Sequence, residues 1–308
     1  MNQFYEWKKV TSKEYDNEQK NPFSFGGSDL CSLCDIVKEE KDIKIKPSIY
    51  IKSGVNRKFG KEKLPVVIMN KLLKNGNFKN YTYTPKIKHV KKNYNSLDAL
   101  NFGKLFHCVC LEREKFYNLY KVDKESNLLT FTDWTYSYTN LVLSSQQASF
   151  LHSVASMYDQ YLKNLGIKKE SLINEEPFLC KFSIKTKDIN PSIRCKPDSY
   201  YIEGDTLNLI DLKTVKCYDA FLKNVKKYKT QLFLYSSFLL DMGIGVNVKK
   251  INLIIIYYDK HSNKFFQENE LCILDNDVLK KSANELIVKI QNLIENIEEK
   301  DYTAYLEE

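Results

Sequence analysis

Short apolar runs with alternating polar positions dominate the second half of the chain. Residues 192–202 and 207–215 are apolar-rich and β-branched or aromatic, and read as strands. Glu203-Gly204-Asp205-Thr206 between them holds a Gly-Asp pair, a hairpin-turn signal. Ile251–Tyr258 is apolar on both faces, the pattern of a central strand covered on both sides. Phe178–Ile184 reads as a further strand. Helical spacing appears over Ser96–Tyr120, from Ser145 to about Leu165, from about Tyr218 to Leu240, and over Asp277–Glu299. Ser144 and Gln147 form a capping-box pattern, and Gly166 follows the helix they open. A hairpin, a helical crossover and a further strand, flanked by helices, predict an α/β sandwich. Residues 1–94 read as an N-terminal arm and helical layer, with loops near Arg57–Lys63 and Lys86–Tyr94; residues 95–308 read as the core.

The hairpin register has a chemical consequence. Pairing Ile202 with Leu207 puts Asp198 directly opposite Asp211, with Cβ atoms about 5 Å apart. Lys213 projects from the same strand face as Asp211. Like charges in that arrangement are destabilising, and a divalent cation between the carboxylates removes the conflict. A metal held so can polarise a phosphoryl oxygen and activate water, and a neighbouring lysine can stabilise developing negative charge. A solvated hairpin with charged outward positions would give the same short pattern.

Composition leaves this reading open. The chain has 308 residues, 43% of them hydrophobic, enough for a sizeable core. Lys+Arg 47 against Asp+Glu 39 gives net +8, which suits a polyanionic partner without demanding one. No run reaches membrane-span length, and the first residues lack the apolar core of a signal peptide, so an intracellular, cytoplasmic protein is expected. The eight cysteines lack a disulfide-framework spacing. Cys31/Cys34 and Cys108/Cys110 are too few and too isolated for a predicted metal site.

Pro197-Asp198 and Asp211-Leu212-Lys213 resemble the PD-(D/E)xK nuclease superfamily. Further elements in order resemble its RecB/RecE-type and phage lambda-type (YqaJ-like) exonuclease branch. They are Gly103-Lys104-Leu105-Phe106-His107 on a helix, Glu175-Glu176 before an apolar strand, and Gln231-Leu232-Phe233-Leu234-Tyr235 on a later helix. The resemblance covers roughly residues 95–260. It implies a restriction-endonuclease-like core: a mixed central sheet flanked by helices, with a helical N-terminal region. It implies that His107, Asp198, Asp211 and the Leu212 carbonyl bind Mg²⁺, for which Mn²⁺ can substitute, and that Lys213 is catalytic. Glu176, with Glu175 as second choice, is an outer-shell acid or a ligand of a second metal. Gln231 and Tyr235 orient Lys213, water or a phosphate, or simply pack their helix.

Lys216, Lys223, Lys226 and Lys227 form a basic stripe interleaved with Tyr218, Phe221 and Tyr228, which either tracks a DNA backbone or is a solvated face. Phe25-Gly26-Gly27-Ser28 resembles the helix start that helps bind a 5′ phosphate in lambda-type relatives; Ser28 is otherwise an ordinary N-cap. The implied activity is a Mg²⁺-dependent deoxyribonuclease degrading DNA from ends, 5′→3′, in phage-type recombination or repair. A single-strand annealing protein as partner, a trimeric or tetrameric ring, and a bacterial or phage-infected cell belong to the same implication. The alternatives are a structure-specific or flap endonuclease on the same core, and a catalytically silent DNA-binding or scaffold protein.

Overall fold

The computed structural model describes residues 5–19, 24–31, 34–39, 42–47, 99–123, 128–131, 141–182, 190–273, 284–288 and 291. The side chains of 28–29, 34–47, 99–101, 117–145 and 273 lie outside the described set, as do the loops expected near 57–63 and 86–94 and most of the helix expected over 277–299.

The chain begins with β1 (Tyr5–Lys9), α1 (Ser12–Glu18), β2 (Ser24–Phe25) and α2 (Gly27–Leu30). Two small antiparallel sheets follow: β3 (Cys34–Glu39) with β4 (Asp42–Pro47), and β5 (Tyr120–Asp123) with β6 (Leu128–Phe131) and β7 (Leu141–Ser144). Helices α3 (Ala99–Leu111) and α4 (Arg113–Leu119) precede β5, and α5 (Ser145–Asn164) follows β7. Then come β8 (Ile173–Asn174), β9 (Phe178–Phe182), β10 (Ser192–Cys195), β11 (Ser199–Glu203) and β12 (Thr206–Val215). Helices α6 (Tyr218–Leu222) and α7 (Val225–Asp241) lead to β13 (Lys250–Asp259) and β14 (Lys264–Ile273).

The architecture is α/β with mixed sheets. Five strands run in the order β14-β13-β12-β11-β8, parallel only between β12 and β13. A second sheet runs β1-β9-β10-β2. Helix α7 is buried on nearly every side from Thr230 to Leu240, as befits a helix apolar all round. It shares one core with strands from both sheets, including Phe178 and Ile193 on one side and Leu209 and Ile255 on the other. Helices α3 and α5 pack against the opposite face of the five-stranded sheet, through Phe106, Val109, Leu151 and Tyr158 onto Ile210, Leu212, Ile254 and Ile256. Leu286 and Ile287, in the described part of the last helix, are buried in the first core.

Several expected elements divide. The strand expected over 192–202 is two strands in different sheets, parted at Lys196-Pro197-Asp198, where proline cannot donate to a ladder. The helix expected over 218–240 breaks at Lys223-Asn224, and the one over 96–120 at Glu112. Two N-terminal strands join the second sheet: β1 pairs with β9, β2 with β10, and the Tyr5 hydroxyl and Trp7 indole N–H both donate to Asp241 at the end of α7. No described helix is long and apolar enough to cross a membrane.

Candidate metal centre

The hairpin closes in the expected register, Ile202 opposite Leu207 and Ser199 opposite Ile210, around Gly204 at φ +59°. The ladder stops at Ser199. Asp198, the next position, turns its carboxylate onto the neighbouring strand and accepts from the Leu212 N–H at 2.7 Å. The N–H and C=O of one strand residue point to the same edge. The Leu212 carbonyl therefore lies on the same strand edge as its N–H, the edge that faces Asp198, and Pro197 just before Asp198 has no N–H to offer.

A second switch between sheets lies alongside. The chain leaves β8 at Asn174 and enters β9 at Phe178, and the Glu175 N–H donates to the Asp198 carbonyl at 3.0 Å. Glu175 takes φ +51°, in the left-handed region that costs a side-chain-bearing residue about 1–2 kcal/mol. Such strain persists where the surroundings over-determine it, often at functional sites. Here Lys196 grips one carboxylate oxygen of Glu175, and the other lies 3.8 Å from His107 Nδ1.

His107 comes from α3, on the far face of the sheet. Gly103, one turn earlier, passes close to Thr214. His107 Nδ1 stands 3.6 Å from Asp198 Oδ2, and His107, Glu175 and Asp198 each offer a ligand atom within 4.8 Å of the others. Asp211 is only 2% exposed. Its Oδ1 accepts from Lys213, whose ammonium is also 3.8 Å from Asp198 Oδ2; its Oδ2 is buried without a hydrogen-bond partner.

The electrostatics follow from this crowding. Burial pushes the Asp211 carboxyl up to about 6; the Lys213 ammonium opposes the shift and the Asp198 carboxylate adds to it. Burial would lower Lys213, but Asp211 and Asp198 outweigh it and hold the amine above its ordinary range. Burial would raise Glu175, but the nearby His107 imidazole and the Lys196 charge bring it to about 2. Burial pulls the His107 imidazole down, and the Asp198 and Glu175 carboxylates more than restore it.

The structure thus gathers His107, Asp198, Asp211, Leu212 and Lys213. Glu176, the glutamate preferred from sequence, is elsewhere: its carboxylate meets the Tyr200 hydroxyl and Lys9. The left-handed turn at Glu175 sends consecutive side chains to different partners, so the second-choice glutamate joins the cluster. Lys196 was not singled out from sequence; its position two residues before Asp198 was the available signal. Gln231 donates to the Tyr235 hydroxyl at 3.2 Å, and that hydroxyl lies against Gly27, leaving no room there for a Cβ. The Ser28 side chain is outside the described residues. Lys216, Lys223, Lys226 and Lys227 are exposed.

A divalent cation fits this donor set. Carboxylate oxygens and one imidazole are ligands for Mg²⁺ or, with the imidazole, Mn²⁺. The unpartnered Asp211 oxygen is the kind of buried polar atom that a cation satisfies. The described cysteines are free thiols, and burial pushes Cys31 and Cys108 up to about 12.

No family model and no curated protein matches the chain. Among solved structures it is similar to SSO0001, at 17% identity and TM-score 0.25 over 46% of this chain and 63% of that one. It is similar to an alkaline exonuclease from Laribacter hongkongensis, at 14% identity and TM-score 0.25 over 49% and 70%. Rai1 from Scheffersomyces stipitis matches at 12% identity and TM-score 0.23 over 90% and 65%. The matched region spans under two thirds of SSO0001 and of Rai1, and likenesses of this size carry no argument about chemistry.

Proposed function

We propose that the chain is a divalent-metal-dependent deoxyribonuclease with a PD-(D/E)xK, restriction-endonuclease-like core, acting from DNA ends. The observation that carries the reading is the convergence of His107, Glu175 and Asp198, with the Lys213 ammonium linking Asp198 to a buried Asp211 whose other oxygen lacks a partner. His107, Glu175, Asp198, Asp211 and the Leu212 carbonyl would hold Mg²⁺ or Mn²⁺. The bound cation supplies a Lewis acid for the phosphoryl oxygen and lowers the pKa of a bound water.

The chain's own residues supply the rest. Lys213 lies between two carboxylates and presents fixed positive charge where a phosphorane-like transition state gathers negative charge. Lys196 holds Glu175 in its strained conformation. The Tyr235 hydroxyl, which accepts from Gln231, packs against Gly27 at the start of α2. Attack on ends, the 5′→3′ direction, a ring assembly and an annealing partner are parts of the proposal supported by the order of sequence elements alone.

Lys196 and Lys213 already pair with Glu175 and Asp211, and this favours one competing reading, a metal-free ion-pair network in a DNA-binding scaffold. Purified protein with Mg²⁺ on end-labelled linear and covalently closed circular DNA separates the readings. Progressive loss of linear DNA, stopped by chelator, is expected. Cutting of closed circles points to an endonuclease, and chelator-insensitive or absent cleavage overturns the metal centre.

A further inference from the structure

Lys213 is the start of a row that runs across the sheet. Its cross-strand partner on β13 is Tyr257, and the partner of Tyr257 on the edge strand β14 is Phe266, so all three project from one face. Aromatic rings cover this row. Tyr257 stacks on Phe221 at 4.1 Å and 17°, and on Phe266 at 5.5 Å and 23°. Phe221 in turn stacks against Tyr218 at 6.2 Å and 23°. Tyr228 closes the inner end, 6.2 Å from Phe221 and with the Lys213 ammonium 5.5 Å from its ring. The inner members, Phe221 and Tyr257, are buried; the outer ones are not. Tyr218 is 53% exposed, Leu222 48% and Phe266 38%. Exposed Lys216 and Lys223 flank Tyr218 in the chain.

We propose that this aromatic tract is a binding surface for an unpaired DNA strand, leading to or from the cleavage site. The assignment of the site itself rests on the nuclease reading above. Bases expose their faces only when unpaired, and rings next to lysines bind them by stacking while the lysines meet phosphates. A duplex keeps its base faces internal and offers these rings nothing. Charge fixes the orientation of the strand. Around Phe266, Glu268 and Glu270 take Lys229 at 3.3 and 3.2 Å, so that edge presents no excess positive charge. Asp219 beside Tyr218 is outnumbered by Lys216 and Lys223. The phosphates therefore run on the Lys216 and Lys223 side, and the bases lie over Tyr218 toward Phe266.

The test uses full-length protein in chelator, with fluorescein-labelled oligothymidine and a labelled blunt duplex read by anisotropy. Replacing Tyr218 and Phe266 together by Ala should weaken single-strand binding by about ten-fold or more, the loss of one or two stacked bases, and leave duplex affinity unchanged. Both side chains are exposed, so folding should survive, as a circular-dichroism melt checks. Tyr218→Trp should keep the affinity, and its added fluorescence should be quenched by oligothymidine. Unchanged single-strand affinity in the double variant overturns the proposal, as does an equal loss on duplex. So does an effect confined to oligomeric state, which would make the patch a contact between copies. Oligouridine binding as well as oligothymidine would extend the ligand to RNA. Because the assay needs no turnover, failure of cleavage sinks the nuclease reading and leaves this result standing, and the converse also holds.

Discussion

Asp211 is held where a carboxylate is least comfortable: buried, beside a second carboxylate, with one oxygen unpartnered. Asp211→Asn keeps the shape and an acceptor for Lys213, and Lys213 still has Asp198 nearby. Cleavage should be lost while the melting temperature moves little. Lys213→Met should reduce turnover at saturating DNA by about a hundred-fold or more, the worth of one preorganised charge contact, with little change in DNA affinity. Lys196→Met tests a different link. Without its clamp, Glu175 can relax from φ +51°, so Mn²⁺ affinity measured by calorimetry should fall and Lys196→Arg should restore part of it. A lower melting temperature with unchanged Mn²⁺ affinity would make Lys196 merely structural. At this scale the sequence was legible where geometry is periodic. The strand period placed Asp211 and Lys213 on one face, while Asp198, expected directly opposite Asp211, lies just past the last ladder pair and reaches the Leu212 N–H instead. It could not choose between Glu175 and Glu176, because the choice depends on one backbone angle in a turn between two sheets.

The hairpin was readable because Gly204-Asp205 announces its own turn and sets its register. The break at Pro197 was less readable, since residues 192–202 look like one continuous strand and only tertiary pairing sends the halves to different sheets. Strand β14 was missed for a related reason. Phe265 and Cys272 are buried while Phe266 and Leu271 are exposed, so an edge strand shows no clean alternation. Strand β1 was missed because five residues, mostly polar or aromatic, gain their partner from β9 some 170 positions later. The join between α2 and α7 carries a test of its own. Gly27→Ala sets a Cβ against the Tyr235 hydroxyl and ring, an overpacking expected to cost about 1–3 kcal/mol. Tyr235→Phe removes the nearest atom, so the double variant should be more stable than the sum of the single losses. Additive losses in urea melts would show that the two elements do not meet there.

Two sheets flank α7, and the two direct crossings between them, β8 to β9 and β10 to β11, converge on the candidate metal centre. Asp198 and Glu175 are free to leave the ladders because their segments change sheets there. The same arrangement puts the acidic centre at the start of a basic tract: beyond Lys213 come exposed Lys216, Lys223, Lys226 and Lys227. Chemistry and binding should then separate on mutation. Replacing Lys223, Lys226 and Lys227 by Gln removes three charges from a chain of net +8. If those ammonium groups neutralise phosphates, fewer counterions are released on binding, and the slope of log affinity against log salt should flatten by about two to three. Affinity should fall most at low salt, while turnover at saturating DNA stays near that of the parent because the carboxylates and Lys213 are untouched. An unchanged slope would return the stripe to a solvated helix face. A loss of turnover at saturation would mean that these lysines act at the reacting phosphate, and the division between binding tract and metal centre would have to be redrawn.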